Sequence, residues 1–502
     1  MGRLRERLRR QLGDPAKLRP GRGAMDPSID PPAGTAAQAA QVQAMEQPAR
    51  AAWVGVPPQD GCLPPIHRAV RQESRGGFVY GEVQLPHAWQ HGGLPLAAVA
   101  QLSGDAAVLL SGDIALADFD PSRALFFDLE TTGLPGRWDD RSHQYRAAHG
   151  RRNATGSVLA FLVGTVRIGP DGGVTLRQYL LRQQPDEPAV LDAIQAALAE
   201  VDFLVSFNGK SFDRNILADR FARNRMDSSR VLALPHLDLL HPSRRLYSQV
   251  LSRCSLGTLE THVLGLDRPD GEVSGAEVPM LWDRYLATGK PGILGPVLDH
   301  NTLDLLSLVT LGGHLADCVR RPETTLPEPQ ALAQAARLML QRGDEQRGER
   351  LLRRLLSQRA LQQVVESQGG DLQERPDTQP FDPVIYGASW VLAEHLRRQA
   401  RHDEALPVLL SMCAAAGPFD LRPWRAAAIA LERRLGQPGE ALALVDRALA
   451  QCPIPDSSSE AHQDASAPDH AELMRRKIRL KKRLETLPSA KKATIAPAPT
   501  GR

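Results

Sequence analysis

The chain has 502 residues, of which 42% are hydrophobic and 24% charged, a composition typical of globular proteins with two or three domains. Its five cysteines are scattered and never spaced as C-x-x-C, which argues against a disulfide framework and predicts reduced thiols in the cytoplasm. No apolar run reaches the roughly 20 residues that a membrane span needs, and the N-terminus lacks the apolar segment of a signal peptide. We therefore expect no membrane span and no secretion.

The net charge of +3 is unevenly distributed. Residues 1–23 carry +6 and residues 475–492 carry +8, which leaves −11 for the rest of the chain. An acidic body with basic ends could hold divalent metal centrally and contact polyanions through its tails. The simpler alternative is that the basic ends are only solvated.

The first 120 residues divide into two segments. Residues 1–52 are predicted to be basic and mostly disordered, with one short amphipathic helix that the spacing of Leu4, Leu8 and Leu12 indicates. Residues 53–120 hold short apolar pieces interrupted by Gly and Pro. They predict an irregular lead-in that packs on the next domain and carries no chemistry.

Residues 121–320 show a mixed α/β order. Two β-rich runs flank the Pro170-Asp-Gly-Gly turn and, with the strand before them, predict an antiparallel meander. Helical patterns over 187–201 and about 211–224 then alternate with strand patterns over 202–208 and 236–241. This is the order of a ribonuclease H-like domain, so we predict a mixed five-stranded sheet with flanking helices.

Two acids interrupt the first apolar strand, Leu125-Phe-Phe-Asp128-Leu-Glu130-Thr-Thr-Gly133. Alternate residues of a strand point to the same face, so Asp128 and Glu130 lie side by side. Two adjacent carboxylates repel each other and lose hydration, which a cation between them would relieve. The alternative is a strand end that reaches solvent, where acids need no partner.

Two later segments place further polar groups near these acids. Asn208-Gly209 makes a turn after the fourth strand, Ser211 is a suitable helix N-cap, and Asp213 then faces back towards the strand ends. His300 and Asp304 are four residues apart and share one face of an apolar helix. A lone His and Asp pair would more often be structural, but here four acids and a histidine converge.

These motifs resemble those of the DEDD exonuclease superfamily, and more closely its YprB-like, ribonuclease H-like branch with a C-terminal TPR-like region. The resemblance covers about residues 120–315. It is carried by four segments: Phe127-Asp-Leu-Glu-Thr-Thr-Gly-Leu134, Phe207-Asn-Gly-Lys-Ser-Phe-Asp213, His236-Leu-Asp-Leu-Leu-His241 and His300-Asn-Thr-Leu-Asp304.

The resemblance implies a 3′→5′ exonuclease that hydrolyses single-stranded DNA or RNA with two Mg²⁺ or Mn²⁺ ions. It implies Asp128, Glu130, Asp213 and Asp304 as metal ligands and His300 as general base. We further expect substrate contacts from four neighbouring residues: Thr131, Thr132, Asn208 and Lys210. The alternative for Lys210 is a solvated lysine of the turn. One departure is that the histidine precedes the acid by four residues, whereas the histidine branch usually spaces them by five. A polar insertion at 137–153 is a second departure.

Other polar residues near these motifs have weaker claims. Gly209-Lys210-Ser211 superficially resembles a phosphate loop, but Leu204 stands where that motif needs Gly. His236 and His241 would point to opposite faces of a strand, so we expect no joint metal site. Asp238 could support the acids or cap a strand end.

The last third of the chain is Ala-, Leu- and Arg-rich. Residues 326–452 predict a TPR-like helical domain, with plain helical hairpins as the alternative and a loop over 359–382. Residues 453–502 predict a linker and a basic helix. A TPR-like surface suggests a protein partner, so a catalytically silent nucleic-acid-binding module and a TPR-type adaptor remain alternatives to the enzyme.

Overall fold

The computed structural model describes residues 63–133, 136–139, 144–147, 158–269, 271–368, 381–453 and 466–486. The helix and linker expected within residues 1–52 lie outside these ranges, as do the chain ends beyond 486. The chain divides into two compact units, with the boundary between Pro327 and Glu328.

The first unit is built around strands that follow one another along the chain. They are β1 (His67–Glu73), β2 (Gly76–Leu85), β3 (Gln90–His91), β4 (Leu94–Pro95), β5 (Ala124–Thr131), β6 (Gly136–Asp139), β7 (Gln144–Ala147), β8 (Ala160–Ile168), β9 (Val174–Leu181), β10 (Phe203–Ser206) and β11 (His236–Asp238).

Seven of these strands form one mixed sheet in the order β1-β2-β9-β8-β5-β10-β11. The strands β1, β2, β9, β8 and β5 are antiparallel neighbours, which confirms the predicted meander, and β10 and β11 run parallel to β5. The predicted count of five strands is wrong, because the lead-in segment contributes β1 and β2. Residues 78–85 of β2 pair with Val174–Leu181 of β9, so β2 and then β1 extend the sheet beyond β9.

Several helices of the first unit pack on the sheet. The helices of this unit are α1 (Gly104–Ser111), α2 (Glu187–Ala199), α3 (Asp213–Arg223), α4 (Ser229–Ala233), α5 (Leu240–Tyr247), α6 (Leu256–Leu259), α7 (Val278–Thr288), α8 (Gly295–Arg320) and α9 (Pro322–Thr325), with a π-helical turn at Glu260–Leu264. The helices predicted over 187–201 and 211–224 correspond to α2 and α3.

The predicted fifth strand over 236–241 is too long. It ends at Asp238, whose carboxylate accepts a hydrogen bond from Leu240 N at 3.1 Å and thereby caps the start of α5. His241 therefore lies on a helix and not on the strand.

The main core lies between the sheet and the helices α2, α3 and α7. Phe127, Phe161 and Trp282 are at most 2% exposed, and the rings of Phe161 and Trp282 stack with centroids 4.5 Å apart. Burying three such aromatic rings contributes several kcal/mol of hydrophobic free energy. The core fixes β5, and with it the two acids that this strand carries.

The long helix α8 packs on β5 and β8. Residues 291–320 are long and apolar enough to span a bilayer, but 83% of the most apolar stretch is buried inside the unit. Core helices of water-soluble proteins commonly have this composition.

The second unit contains helices α10 (Pro329–Arg342), α11 (Glu345–Gln368), α12 (Pro383–Arg398), α13 (His402–Ala414), α14 (Leu421–Ile429), α15 (Pro438–Gln451) and α16 (Ser466–Glu485). Neighbours in this order pack on each other, with Trp424, Leu431 and Leu444 in their core. A helical C-terminal region is therefore correct, whereas a TPR-like repeat remains a prediction. The loop predicted over 359–382 is wrong as far as Gln368, because α11 continues to that residue; residues 369–380 lie outside the described ranges.

Candidate active site

Asp128 lies on β5 opposite Gly164 of β8. A Cβ atom at Gly164 would collide with the amide oxygen of Asn301, so this glycine lets α8 approach the strand closely. The Asn301 side chain fills the space and donates Nδ2–H to Asp128 Oδ2 at 2.9 Å. One carboxylate oxygen of Asp128 is thus held by the helix that also carries His300 and Asp304.

The orientation of Asn301 is itself fixed from the sheet. Gln178 of β9, 1% exposed, places its Nε2 at 3.1 Å from Asn301 Oδ1 and at 2.8 Å from the carbonyl of Leu298. Its Oε1 accepts from Arg68 of β1 at 3.1 Å. Because Gln178 holds the oxygen of the Asn301 amide, the NH₂ group must face Asp128.

The turn that carries Asp213 is held by Asp238. The two oxygens of Asp238 accept from the backbone N–H groups of Asn208 at 2.7 Å and Lys210 at 3.1 Å. Asn208 adopts φ of +66°, a left-handed conformation that Asn tolerates. Asp238 therefore both supports an acid and caps its own strand end, the two roles that the sequence left open.

The predicted N-cap at Ser211 is wrong. Helix α3 begins at Asp213, and its N-cap position is Phe212, which makes no side-chain capping bond. The hydrogen bonds to Asp238 extend the turn, so the helix starts two residues later than the sequence pattern indicated.

Gly209 is the tightest point of this turn. An added Cβ would lie 2.5 Å from Ser206 Oγ and 2.8 Å from Asp213 Oδ2, closer than real contacts allow. We expect Gly209→Ala to destabilise the protein by about 1–3 kcal/mol, as overpacking does, and to lower activity by displacing Asp213. Thermal unfolding and activity at 25 °C measure the two effects. Gly292→Ala is the control, since a Cβ there meets no atom within 4 Å.

Helix α8 carries His300 and Asp304 on one face. His300 Nε2 lies 3.9 Å from Glu130 Oε1 and 3.7 Å from Asp304 Oδ2, and Nδ1 lies 2.9 Å from Glu272 Oε1. The other ring nitrogen thus faces two of the predicted acids. The i,i+4 spacing read from the sequence produces this arrangement as expected.

Burial and mutual repulsion raise the pKa values of the central acids. Burial is the larger cause for Asp128 and Glu130, followed by the negative charge of Asp304, which raises the pKa of both carboxyls well above their usual range. Burial and the nearby carboxylates of Asp238 and Asp304 raise the pKa of Asp213 to about 7. Four carboxyl groups from β5, α3 and α8 therefore share one electrostatic site.

Three charged residues at this site were not predicted from the sequence. Arg268 donates to Asp304 and, at 2.5 Å, to Glu272, and Glu260 binds the same guanidinium. Glu260 begins the π-helical turn, and Arg268 and Glu272 follow that turn in a segment without helical or strand periodicity. No spacing rule connects them with α8.

Within the described ranges, no group of three or more His, Cys, Asp or Glu side chains is arranged to hold a metal ion. The donor chemistry nevertheless fits a divalent cation, because the carboxylates are hard oxygen ligands. Burial first and mutual repulsion second raise their pKa values, and a cation would offset both. Asp128, Glu130, Asp213 and Asp304 are the residues that would hold it.

The four predicted substrate contacts have local partners. Thr131 Oγ1 accepts from Gly133 N at 3.3 Å, and Thr132 Oγ1 accepts from Leu159 N at 3.1 Å, so both threonines shape the end of β5. The Lys210 ammonium lies 3.8 Å from Asp113 Oδ2 on the surface. Roles for these residues and Asn208 in substrate binding remain predictions.

His236 and His241 lie in different surroundings. His236 is 2% exposed, with Nε2 at 2.8 Å from Ser206 Oγ, and burial lowers its pKa to about 3, so it is neutral at pH 7. His241 is exposed on α5.

Comparison with known proteins matches only part of the chain. Residues 152–316 match a family model described as RNase_H superfamily, a range that contains Asp213, His300 and Asp304 but begins after β5. The uncharacterized protein YprB of Bacillus subtilis (strain 168) is 34% identical over 209 residues, which is 41% of this chain and 45% of YprB. The chain thus spans less than half the length of this relative. The mixed seven-stranded sheet and the family match together identify the first unit as containing an RNase H-like domain.

Proposed function

We propose that the chain is a divalent-metal-dependent 3′→5′ exonuclease acting on single-stranded nucleic acid. The observation that carries the proposal is the convergence of four carboxyl groups from three separate elements, with His300 Nε2 facing two of them. The RNase H-like domain suggests a nuclease, and nucleases of this superfamily generally use divalent metals.

The division of labour follows from the chemistry of the side chains. Asp128, Glu130, Asp213 and Asp304 hold Mg²⁺ or Mn²⁺, which when bound lowers the pKa of water and offsets charge on the phosphodiester. His300 takes the proton of the attacking water at Nε2, while its Nδ1–H is donated to Glu272. Asn301 leaves one oxygen of Asp128 available, because it occupies only Oδ2.

The exposed ring of Phe212 supports a single-stranded substrate. Phe212 directly precedes Asp213, and the residue is 46% exposed, although a ring of this size is normally buried. A base can stack on such a ring regardless of its identity, which suits a degradative enzyme.

We expect Phe212→Ala to raise KM for a single-stranded oligonucleotide about 5- to 150-fold, the equivalent of the roughly 1–3 kcal/mol that one base stack contributes. The value of kcat should change little, because a phenyl ring carries no group that could bind metal or transfer a proton. Phe212→Tyr, which keeps a stacking face, should restore KM. Equal KM values for Phe212→Ala and the wild type would contradict a stacking role.

Cleavage of end-labelled single-stranded DNA and RNA by the purified full chain tests the proposed function. The reactions contain Mg²⁺, Mn²⁺ or EDTA, and Asp128→Asn serves as the inactive control. A ladder that shortens from the 3′ end and needs metal supports the proposal and reveals the sugar preference. If the chain cleaves neither the DNA nor the RNA with Mg²⁺ or Mn²⁺, the proposal is wrong.

The helical unit offers a separate binding surface. A cavity of about 640 Å³ is lined by aromatic and charged side chains, among them Phe381, Tyr386, Phe419 and Arg422. We propose that this unit is TPR-like and binds a protein partner. We also propose that the chain works in the cytoplasm.

A further inference from the structure

A buried ion pair lies behind the proposed active site. Glu260 is fully buried and accepts from Arg268 Nε at 2.5 Å and Nη2 at 2.7 Å, so the two side chains form a bidentate pair. Ser307 of α8 also donates to Glu260, and His91 of β3 lies 2.8 Å from the Ser307 hydroxyl. The guanidinium is therefore anchored from two other elements of the domain.

The edges of Arg268 that are not used by Glu260 face the site. Nη2 also donates to Asp304 Oδ1, and Nη1 donates to Glu272 Oε1 at 2.5 Å. Nη1 also lies 3.1 Å from His300 Nδ1. Glu272 Oε1 in turn lies 2.9 Å from His300 Nδ1. One rigid, planar group thus contacts a proposed metal ligand and the carboxylate beside the proposed base.

A second buried pair in the same unit shows what a purely structural pair contains. Arg220 donates to Glu187 at 2.5 and 2.6 Å, and both side chains are less than 10% exposed. Glu187 Oε2 also accepts a hydrogen bond from Asn224 Nδ2 at 2.8 Å. None of these three residues belongs to the proposed site.

We infer that Arg268 is a positioning residue, which fixes Asp304 directly and His300 both directly and through Glu272. This inference rests on the proposed function. Active-site groups must be held within a fraction of an ångström, and a fork clamped by a buried carboxylate supplies that rigidity. Glu272 Oε1 at 2.9 Å and Arg268 Nη1 at 3.1 Å both contact His300 Nδ1, so Nε2 is the ring nitrogen directed towards Glu130 and Asp304.

The test measures Mn²⁺ affinity by calorimetry together with kcat and KM for whichever of single-stranded DNA and RNA the wild type cleaves. Arg268→Gln should weaken Mn²⁺ binding and lower kcat by about 10- to 100-fold each, as loss of support behind a ligand typically does, with KM within about threefold of the wild type. Arg268→Lys should recover part of both values. Arg220→Gln, the matched control, should lower the melting temperature without changing Mn²⁺ affinity.

Glu272→Gln separates the two branches, because Glu272 contacts His300 and not Asp304 among the site residues. It should lower kcat about tenfold and leave Mn²⁺ affinity unchanged. It also keeps the test available if Arg268→Gln does not fold. The inference is wrong, while the proposed function stands, if Glu272→Gln has the kcat of the wild type. It is also wrong if Arg268→Gln binds Mn²⁺ at least as tightly as the wild type does. A wild-type chain that neither binds Mn²⁺ nor cleaves single-stranded DNA or RNA would overturn the proposed function with it.

Discussion

Asp128→Asn is expected to abolish metal-dependent cleavage and, at the same time, to stabilise the metal-free protein. The amide keeps an oxygen that accepts from Asn301, so the local packing is preserved. It removes one of the negative charges that burial and Asp304 make unfavourable at Asp128. We expect an activity loss on the order of 10³-fold or more and a gain of about 1–3 kcal/mol in the free energy of unfolding at pH 8 without metal.

The sign of the stability change is what makes this variant informative. A carboxyl whose pKa is raised by folding stabilises the protein when protonated and loses that contribution as the pH rises through the folded-state pKa. The gain should therefore be small near pH 4 and largest at pH 8. Urea unfolding at several pH values in EDTA measures it.

Metal should reverse the order of stability. Mg²⁺ or Mn²⁺ that binds the folded state raises its stability in proportion to the logarithm of the metal concentration over Kd, so the wild type gains and Asp128→Asn gains less. Asp202→Asn is the control, because this exposed acid pairs with Arg123 outside the site. A destabilised Asp128→Asn protein in EDTA would show that its carboxylate is a structural ion-pair partner and not one of several crowded acids.

The sequence was sufficient where a local period determined geometry. Asp128 and Glu130 share a face because strands repeat every two residues, and His300 and Asp304 share one because helices return every four. The turn that brings Asp213 towards them was predictable from Asn208-Gly209. These are short-range rules, and they located four acids and a histidine correctly on their elements.

Contacts between distant segments could not be predicted in this way. The strand β2 pairs with β9 about one hundred residues later, and nothing in its own sequence names that partner. Arg268 and Glu272 reach α8 from an aperiodic segment, and Gln178 orients Asn301 across 123 positions. Such pairs follow from the packing of the whole domain.

The basic C-terminal helix shows a similar limit. Its charge predicted either a solvated end or contact with polyanions. Three of its arginines instead approach one buried carboxylate, with Arg476, Arg479 and Arg483 at 3.4, 2.8 and 3.2 Å from Glu432. Part of the charge is therefore used within the helical unit, since a buried carboxylate requires cationic partners.

His300→Gln is expected to lower kcat by about 10²–10⁴-fold, the usual contribution of a general base, while Mn²⁺ affinity stays within about threefold of the wild type. The reason is the position of the ring between two groups of acids. Nε2 lies 3.7 Å from Asp304 and 3.9 Å from Glu130, too far for a direct hydrogen bond to either, and Nδ1 lies 2.9 Å from Glu272.

Single-turnover cleavage separates this effect from product release, and calorimetry reports metal binding. His241→Gln, on the exposed surface of α5, is the matched control and should change neither quantity. The two site variants then differ in a defined way: Asp128→Asn loses both metal binding and cleavage, whereas His300→Gln loses cleavage alone. If His300→Gln weakens Mn²⁺ binding as much as Asp128→Asn does, His300 is a metal ligand. If His300→Gln retains kcat within tenfold of the wild type, another group takes the proton of the attacking water. His300 then shares a helix face with Asp304 but is not the general base.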